Sequence, residues 1–308
     1  MSLFTREQVL EQIKENKAFY QSELSNIDLT SANLDRGQFP QAYLRGAVFK
    51  NASCQKADFS SAILRFANFS KANLSNAILT KAEFNSACLY KTNIREAKAT
   101  KVKFYGAALD LLEAPLAILT DADLREAQGN NCNFSGANLI RANLTHASLP
   151  HSNFSQSNLK EAIFSSANLT HTTWINADLA KANFSKSNLT AADVSEANLI
   201  DTNFNRAKLT EANFQGAELI EATLKQAILN RVNFTNTSLI TAILEGATFT
   251  EIDFPGTILQ DANLENTVWR NVDFIDCNVE NAVFTNAQGL TSQQKQWLRK
   301  NGALNVPE

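Results

Sequence analysis

Residues able to do chemistry are few in this 308-residue chain. Its three histidines are His146, His151 and His171, and the last two stand 20 residues apart. Neighbouring imidazoles at that spacing would hold a metal weakly at best, and a solvated pair is the plainer expectation. The four cysteines, Cys54, Cys88, Cys132 and Cys277, form no CxxC and match no zinc or redox spacing. They read as reduced thiols standing in for small apolar residues. No Gly-rich phosphate loop, nucleophile elbow or HExxH occurs. Carboxylates are plentiful, but catalysis needs a cleft that desolvates them and shifts their pKa values. The expectation is a protein without enzymatic activity, cofactor or metal.

The elements that carry these side chains follow neither common period. A helix repeats its apolar face every 3.6 residues and a strand every two. Here the period is five. Of the 53 positions taken every fifth residue from Leu24 to Phe284, 49 are large and apolar; the exceptions are Cys54, Ala99, Ala114 and Gly129. The residue two places earlier is usually Ala, otherwise mostly Ser, Thr, Val or Cys. A large and a small inward residue followed by a polar corner suit a short extended piece and a turn. Pro40, Pro115, Pro150 and Pro255 follow the large residue directly, and Gly46, Gly106, Gly136, Gly216, Gly246 and Gly256 occupy the slot after that. Pro then Gly at the centre of a turn is the type II preference. Each pentad therefore makes one side of a square, and four sides make a coil of 20 residues.

The longer period is visible independently. Phe214, Phe234, Phe254 and Phe274 are 20 apart, and the interleaved series from Leu119 to Leu259 is all leucine. Stacked coils would set such residues about 4.8 Å apart in interior columns. Asp121, Arg141, Glu161, Lys181 and Asp201 alternate in sign at the same spacing, as neighbouring rungs should.

The runs Ala32-Asn-Leu, Ala72-Asn-Leu, Ala137-Asn-Leu, Ala167-Asn-Leu and Ala197-Asn-Leu resemble the A(D/N)Lxx consensus of the pentapeptide-repeat family, in its bacterial, cyanobacterial-like form. The resemblance covers about residues 22–288. It implies an all-β fold, a right-handed quadrilateral β-helix, with about 13 coils and a length of roughly 60 Å by the inter-strand spacing. Open β edges and apolar columns at the two ends need covers. Residues 1–21 are expected to supply an N-terminal capping helix: Thr5 and Gln8 make a capping box, Phe4 and Val9 a hydrophobic staple, and the helix ends near Lys17. Residues 289–308 are expected to supply a C-terminal one, from Thr291 or Ser292 through Lys300, closed by Gly302. Trp297 and Leu298 would cover the last coil or make a dimer contact, so a monomer and a dimer through a rod end both stand open.

Between residues 99 and 129 the pattern weakens. Three large slots hold Ala or Gly, Leu112 occupies a small slot and Ala114 a large one. Beyond this segment the Phe columns are displaced by one side. Looping out one pentad near 110–116 would restore most of them and would expose Leu111, Leu112 and Leu116 as a contact site. The other reading is a closed coil with those leucines buried.

Charge is the remaining functional signal. Formal net charge is −3, which gives no case for direct nucleic-acid binding. It is unevenly spread: residues 22–110 carry +5, 111–190 carry −1 and 191–288 carry −9. Met1 to Lys17 lacks the apolar run of a signal peptide, and no stretch approaches the roughly 20 apolar residues of a membrane span, so a cytoplasmic location is expected. Some pentapeptide-repeat proteins resemble B-DNA and occupy the DNA saddle of type II topoisomerases, so DNA gyrase is one partner the resemblance implies. Duplex DNA has one charge per about 1.7 Å, so a 60 Å rod would need roughly 35 negative charges. Residues 22–288 sum to −5. Partial mimicry by the acidic C-terminal coils remains one reading. The favoured one is a protein-interaction scaffold for a protein partner of unknown identity. Its candidate contacts are Asp201, Glu221 and Asp261 in one corner column, with Glu211 and Glu251 in another, and Leu111, Leu112 and Leu116 in the middle.

Overall fold

The computed structural model describes residues 3–308. The chain divides into two compact units, Met1–Asn158 and Leu159–Glu308. Each is a right-handed quadrilateral β-helix.

Residues 67–71 show how a pentad is built. Ala67 and Phe69 are buried, and Asn68 forms parallel bridges with Val48 on one coil and Cys88 on another. Ala67 N–H donates to Leu64 O, Asn68 to Ala47 O, Phe69 to Cys88 O and Lys71 to Tyr90 O. The fifth donor, Ser70 N–H, goes to the Asn68 side-chain oxygen at 2.9 Å. All five backbone donors are thereby satisfied, as a closely packed chain requires. The same side-chain bond recurs at Asn73, Asn143, Asn183 and Asn203, which explains why Asn and Asp favour this slot. The last residue of each pentad has a left-handed backbone: every such corner from Gln21 to Asn286 has positive φ, whether glycine or not.

The small slot admits Ala, Ser or Thr because a hydroxyl there bonds backward to a carbonyl; Thr92 Oγ1 donates to Phe69 O and Thr237 Oγ1 to Phe214 O. The large slot builds columns. In the first unit Phe19, Phe39 and Phe59 stack with 5.0 Å between successive rings, and Phe49 stacks on Phe69 at 4.3 Å. In the second, Phe164, Phe184 and Phe204 form one column and Phe214, Phe234, Phe254 and Phe274 another. Near the C-terminus three coils pair more extensively, as parallel strands β1 (Ile228–Asn230), β2 (Thr248–Asp253) and β3 (Val268–Asp273).

The caps form as the sequence suggests, with one shift in boundary. Helix α1 (Arg6–Lys14) has the Thr5/Gln8 capping box and buries Val9, while Phe4 packs edge-on against Phe19 at 5.7 Å. It ends before Lys17, and the repeat starts one pentad earlier than residue 22, because Phe19 is buried beneath Phe39. Helix α2 (Ser292–Lys300) has the Thr291/Gln294 box, buries Leu298 and stacks Trp297 on Phe274.

Residues 110–116 do not bulge. Glu113 bridges Asn93 and Asn133, Leu112 N–H closes a turn onto Leu109 O at 2.8 Å, and Leu111 and Leu116 occupy ordinary left-handed corners with φ of 57° and 59°. Leu112 is fully buried, Leu111 half-buried and Leu116 52% exposed. The exposed loop, and Leu112 as a contact residue, are therefore corrected: the irregularity over 99–129 lies in side-chain size, with the backbone regular. Leu112, in a small slot, and Ala114, in a large one, are both fully buried. A Cβ on Gly129 would lie 2.6 Å from Cys132 Sγ and 2.9 Å from Leu109 Cβ, so glycine is required there by its neighbours. Within the first unit the Phe84 and Phe104 column gives way to Leu124 and Leu144 on its own side, Phe134 and Phe154 stack on another side, and no pentad over 99–129 leaves the helix.

Two substitutions test this packing. Phe234→Asp would bury an unpaired carboxylate between rungs and should cost several kcal/mol, read as a large fall in melting temperature. Leu112→Ala should cost about 2–5 kcal/mol and Leu116→Ala under about 0.5, by denaturant midpoint. Equal small effects would return Leu112 to the surface.

Candidate protein-binding surface

Because the large and small slots point inward, only three slots per pentad meet solvent: the face residue between them and the two corner residues. His146, His151 and His171 all lie on exposed corners. No group of three or more His, Cys, Asp or Glu capable of holding a metal occurs among the described residues. Cys54, Cys132 and Cys277 are buried, and burial pushes the Cys132 and Cys277 thiols up to about 12. The carboxylates that depart from their usual range do so downward. A hydrogen bond from Arg141 holds Asp121 down; burial raises Glu83, but Lys103 and Arg65 together bring it below its ordinary value. A carboxyl poised as a proton donor near neutrality would need the opposite shift.

Asp201, Glu221 and Asp261 stand where the 20-residue period places them, exposed on one corner of the second unit. Backbone bonds fix the column: Asp201 N–H donates to Ile220 O at 2.9 Å, Glu221 to Ile240 O at 3.1 Å and Asp261 to Glu280 O at 2.9 Å. Thr241 fills the intervening rung, and Asn281 Nδ2 donates to Asp261 Oδ1 at 3.1 Å. Ile200, Ile220 and Ile240, half-buried at the preceding slot, run as an aliphatic ridge beside the acids. The ridge was not singled out from sequence, although its 20-residue spacing is plain there. Glu211 and Glu251 are different. Arg231 lies between them in the same column and pairs with both, and its hydrogen bond lowers the Glu211 pKa. Lys225 likewise pairs with Glu245 at 2.9 Å. Of the central leucines, only Leu116 presents most of its side chain to solvent.

A second surface in the first unit escaped sequence reasoning. Arg45 lies 5.4 Å over the ring of Phe66, and Arg125 lies 5.7 Å over Tyr105. Between them Glu83 is clamped by Arg65 at 2.7 Å and Lys103 at 2.9 Å, and Arg125 is also paired with Asp123. Phe66 is 57% exposed and occupies a left-handed corner with φ 60°, a conformation bulky side chains seldom adopt. The signal was present, since Phe66 is the one Phe within the repeat frame that misses the large slot. At the C-terminal end a cavity of about 300 Å³ is lined by Val272, Phe274, Ile275 and Trp297 among others. No helix among the described residues is long and apolar enough to cross a membrane.

Among solved structures the chain is similar to HetL, a pentapeptide repeat protein involved in heterocyst differentiation regulation from the cyanobacterium Nostoc sp. strain PCC 7120. That match has 26% identity, covers 76% of this chain and 96% of HetL, and has a TM-score of 0.35. Full-length QnrB1, a plasmid-mediated fluoroquinolone resistance protein, matches at 15% identity over 71% of this chain and 98% of its own, with a TM-score of 0.25. Rfr23, from the cyanobacterium Cyanothece 51142, matches at 23% over 49% and 89%, with a TM-score of 0.16. A search of curated proteins gives no match. The family model for pentapeptide repeats matches in 8 copies, at residues 27–65, 57–95, 117–156, 137–173, 162–199, 187–226, 217–256 and 256–288. These copies span well over half of the chain and coincide with the coils whose corners and ladders are described above, so the chain belongs to the pentapeptide-repeat family.

Proposed function

We propose that the protein is a non-catalytic protein-interaction scaffold, working in the cytoplasm, that presents the Asp201, Glu221 and Asp261 corner of its second unit to a protein partner. The observation that carries this reading is the acid column held in register beside the Ile200, Ile220 and Ile240 ridge. An apolar strip with charge along its margin matches the composition of protein interfaces, where desolvated apolar contact supplies affinity and flanking charge supplies specificity and association rate. Duplex DNA has no aliphatic ridge to imitate. The ion pairs of Arg231 with Glu211 and Glu251, and of Lys225 with Glu245, also neutralise part of the acidity that DNA mimicry would use. Both points favour the scaffold over a topoisomerase-directed DNA mimic.

The test is capture of partners from the native cell at increasing salt. With Asp201→Lys, Glu221→Lys and Asp261→Lys combined, capture should fall about tenfold or more, and the wild-type interaction should itself weaken with salt. Lys71→Glu with Lys91→Glu should have little effect. Undiminished capture by the triple variant would remove this corner from consideration. In a gyrase supercoiling assay, inhibition or drug protection that the triple variant loses would replace the general scaffold with the topoisomerase reading.

A further inference from the structure

The two units carry opposite charge. The first has 17 Lys and Arg against 14 Asp and Glu, a net +3, and the second has 11 against 17, a net −6. The excess is concentrated: residues 36–105 hold 12 basic and 3 acidic side chains. Apolar exposure is divided as well. The exposed aromatics Tyr20, Tyr43, Phe66, Tyr90 and Tyr105 all belong to the first unit, whereas the most exposed large apolar residues of the second are aliphatic.

We propose that the partner of the acidic corner is a second copy of this chain, and that the docking element is the Arg45, Arg65, Phe66 and Tyr105 surface of its first unit. This rests on the reading of the Asp201, Glu221 and Asp261 corner as a binding surface. Three features support it. Charge and shape chemistry are complementary: guanidinium groups and flat rings on one side meet carboxylates and an aliphatic ridge on the other. The pitch matches, because Arg45 and Arg65 are one coil apart on their corner and Asp201 and Glu221 are one coil apart on theirs. A second β-helix of equal rise repeats its charges in step with the first, which an irregular protein surface does not do. Finally, the cations are already held in place, Arg45 by Phe66 and Arg65 by Glu83, so less side-chain freedom is lost on docking.

The contact uses different patches on the two molecules, so it yields a dimer or a larger assembly according to whether it closes. Sedimentation velocity of the full chain reads it directly. At low salt the wild type should show concentration-dependent association, weakening about tenfold or more at high salt. Arg45→Glu with Arg65→Glu places like charges at the contact and should leave a monomer, as should Asp201→Arg with Glu221→Arg. All four residues are exposed, so neither variant disturbs the core. Mixing the two variants pairs each patch with an opposite charge and should restore association. A wild type that stays monomeric across the concentration range, or variants that associate as the wild type does, would overturn the proposal. So would a monomer that binds a single-stranded oligonucleotide through Arg45 and Arg65. If the wild type is monomeric but the triple reversal still abolishes partner capture, the acidic corner stands as a binding surface and only the identity of its partner falls.

Discussion

Each pentad without proline must dispose of five backbone N–H groups while turning a corner every five residues, and the rest of the structure depends on how it does so. Four of the donors in residues 67–71 reach carbonyls, on neighbouring coils or across the turn, and the fifth reaches the Asn68 side chain. The arrangement works only if the last residue of the pentad adopts the left-handed backbone, which costs most L-residues roughly 1–2 kcal/mol. Most corners from Gln21 to Asn286 accept that cost, as Lys, Glu, His and even Leu; the glycine corners, such as Gly46 and Gly256, avoid it. They are held by the hydrogen-bond ladders above and below and by a core filled to high density. Local strain and global packing are thus two sides of one closure condition.

That condition explains what could be read in advance. The five-residue and 20-residue periods translate directly into side, corner and column, so the stack of Phe214 to Phe274 and both capping boxes were legible. The Trp positions carried a further sign. Trp174 and Trp269 each follow a Thr by two residues, and in both cases the indole N–H donates to that Thr at 2.8 Å. What misled was residue size. Ala99, Ala114 and Gly129 suggested a broken backbone, but a sequence shows how much volume each slot carries and not which neighbour supplies the remainder. Beside Gly129 it is Cys132, from a small slot, that does so.

The surface was legible in part for a different reason. Corner columns are periodic, so Asp201, Glu221 and Asp261 share one exposed corner, yet a column must be read with every member. Arg231 sits between Glu211 and Glu251 and changes what those two carboxylates can offer. The aromatic and arginine surface depends on ring-to-guanidinium contacts across coils, such as Arg45 with Phe66, which join one corner slot to the next slot of the following coil. A search confined to single columns passes over such diagonals.

The square cross-section has a consequence for how such a chain changes length. Loss or gain of one pentad keeps large and small residues in their inward slots, so the helix can stay closed, although columns such as Phe214 to Phe274 are interrupted at that point. Within a unit, however, it carries every later side chain on to the next of the four sides. A five-residue deletion between residues 201 and 221 would therefore separate Asp201 from Glu221 by a right angle while the helix stayed closed. Only steps of 20 residues preserve both the interior and the surface. Insertions and deletions in this architecture thus act as quarter-turns of a dial, by which a surface can be reassembled without any substitution and without disturbing the fold.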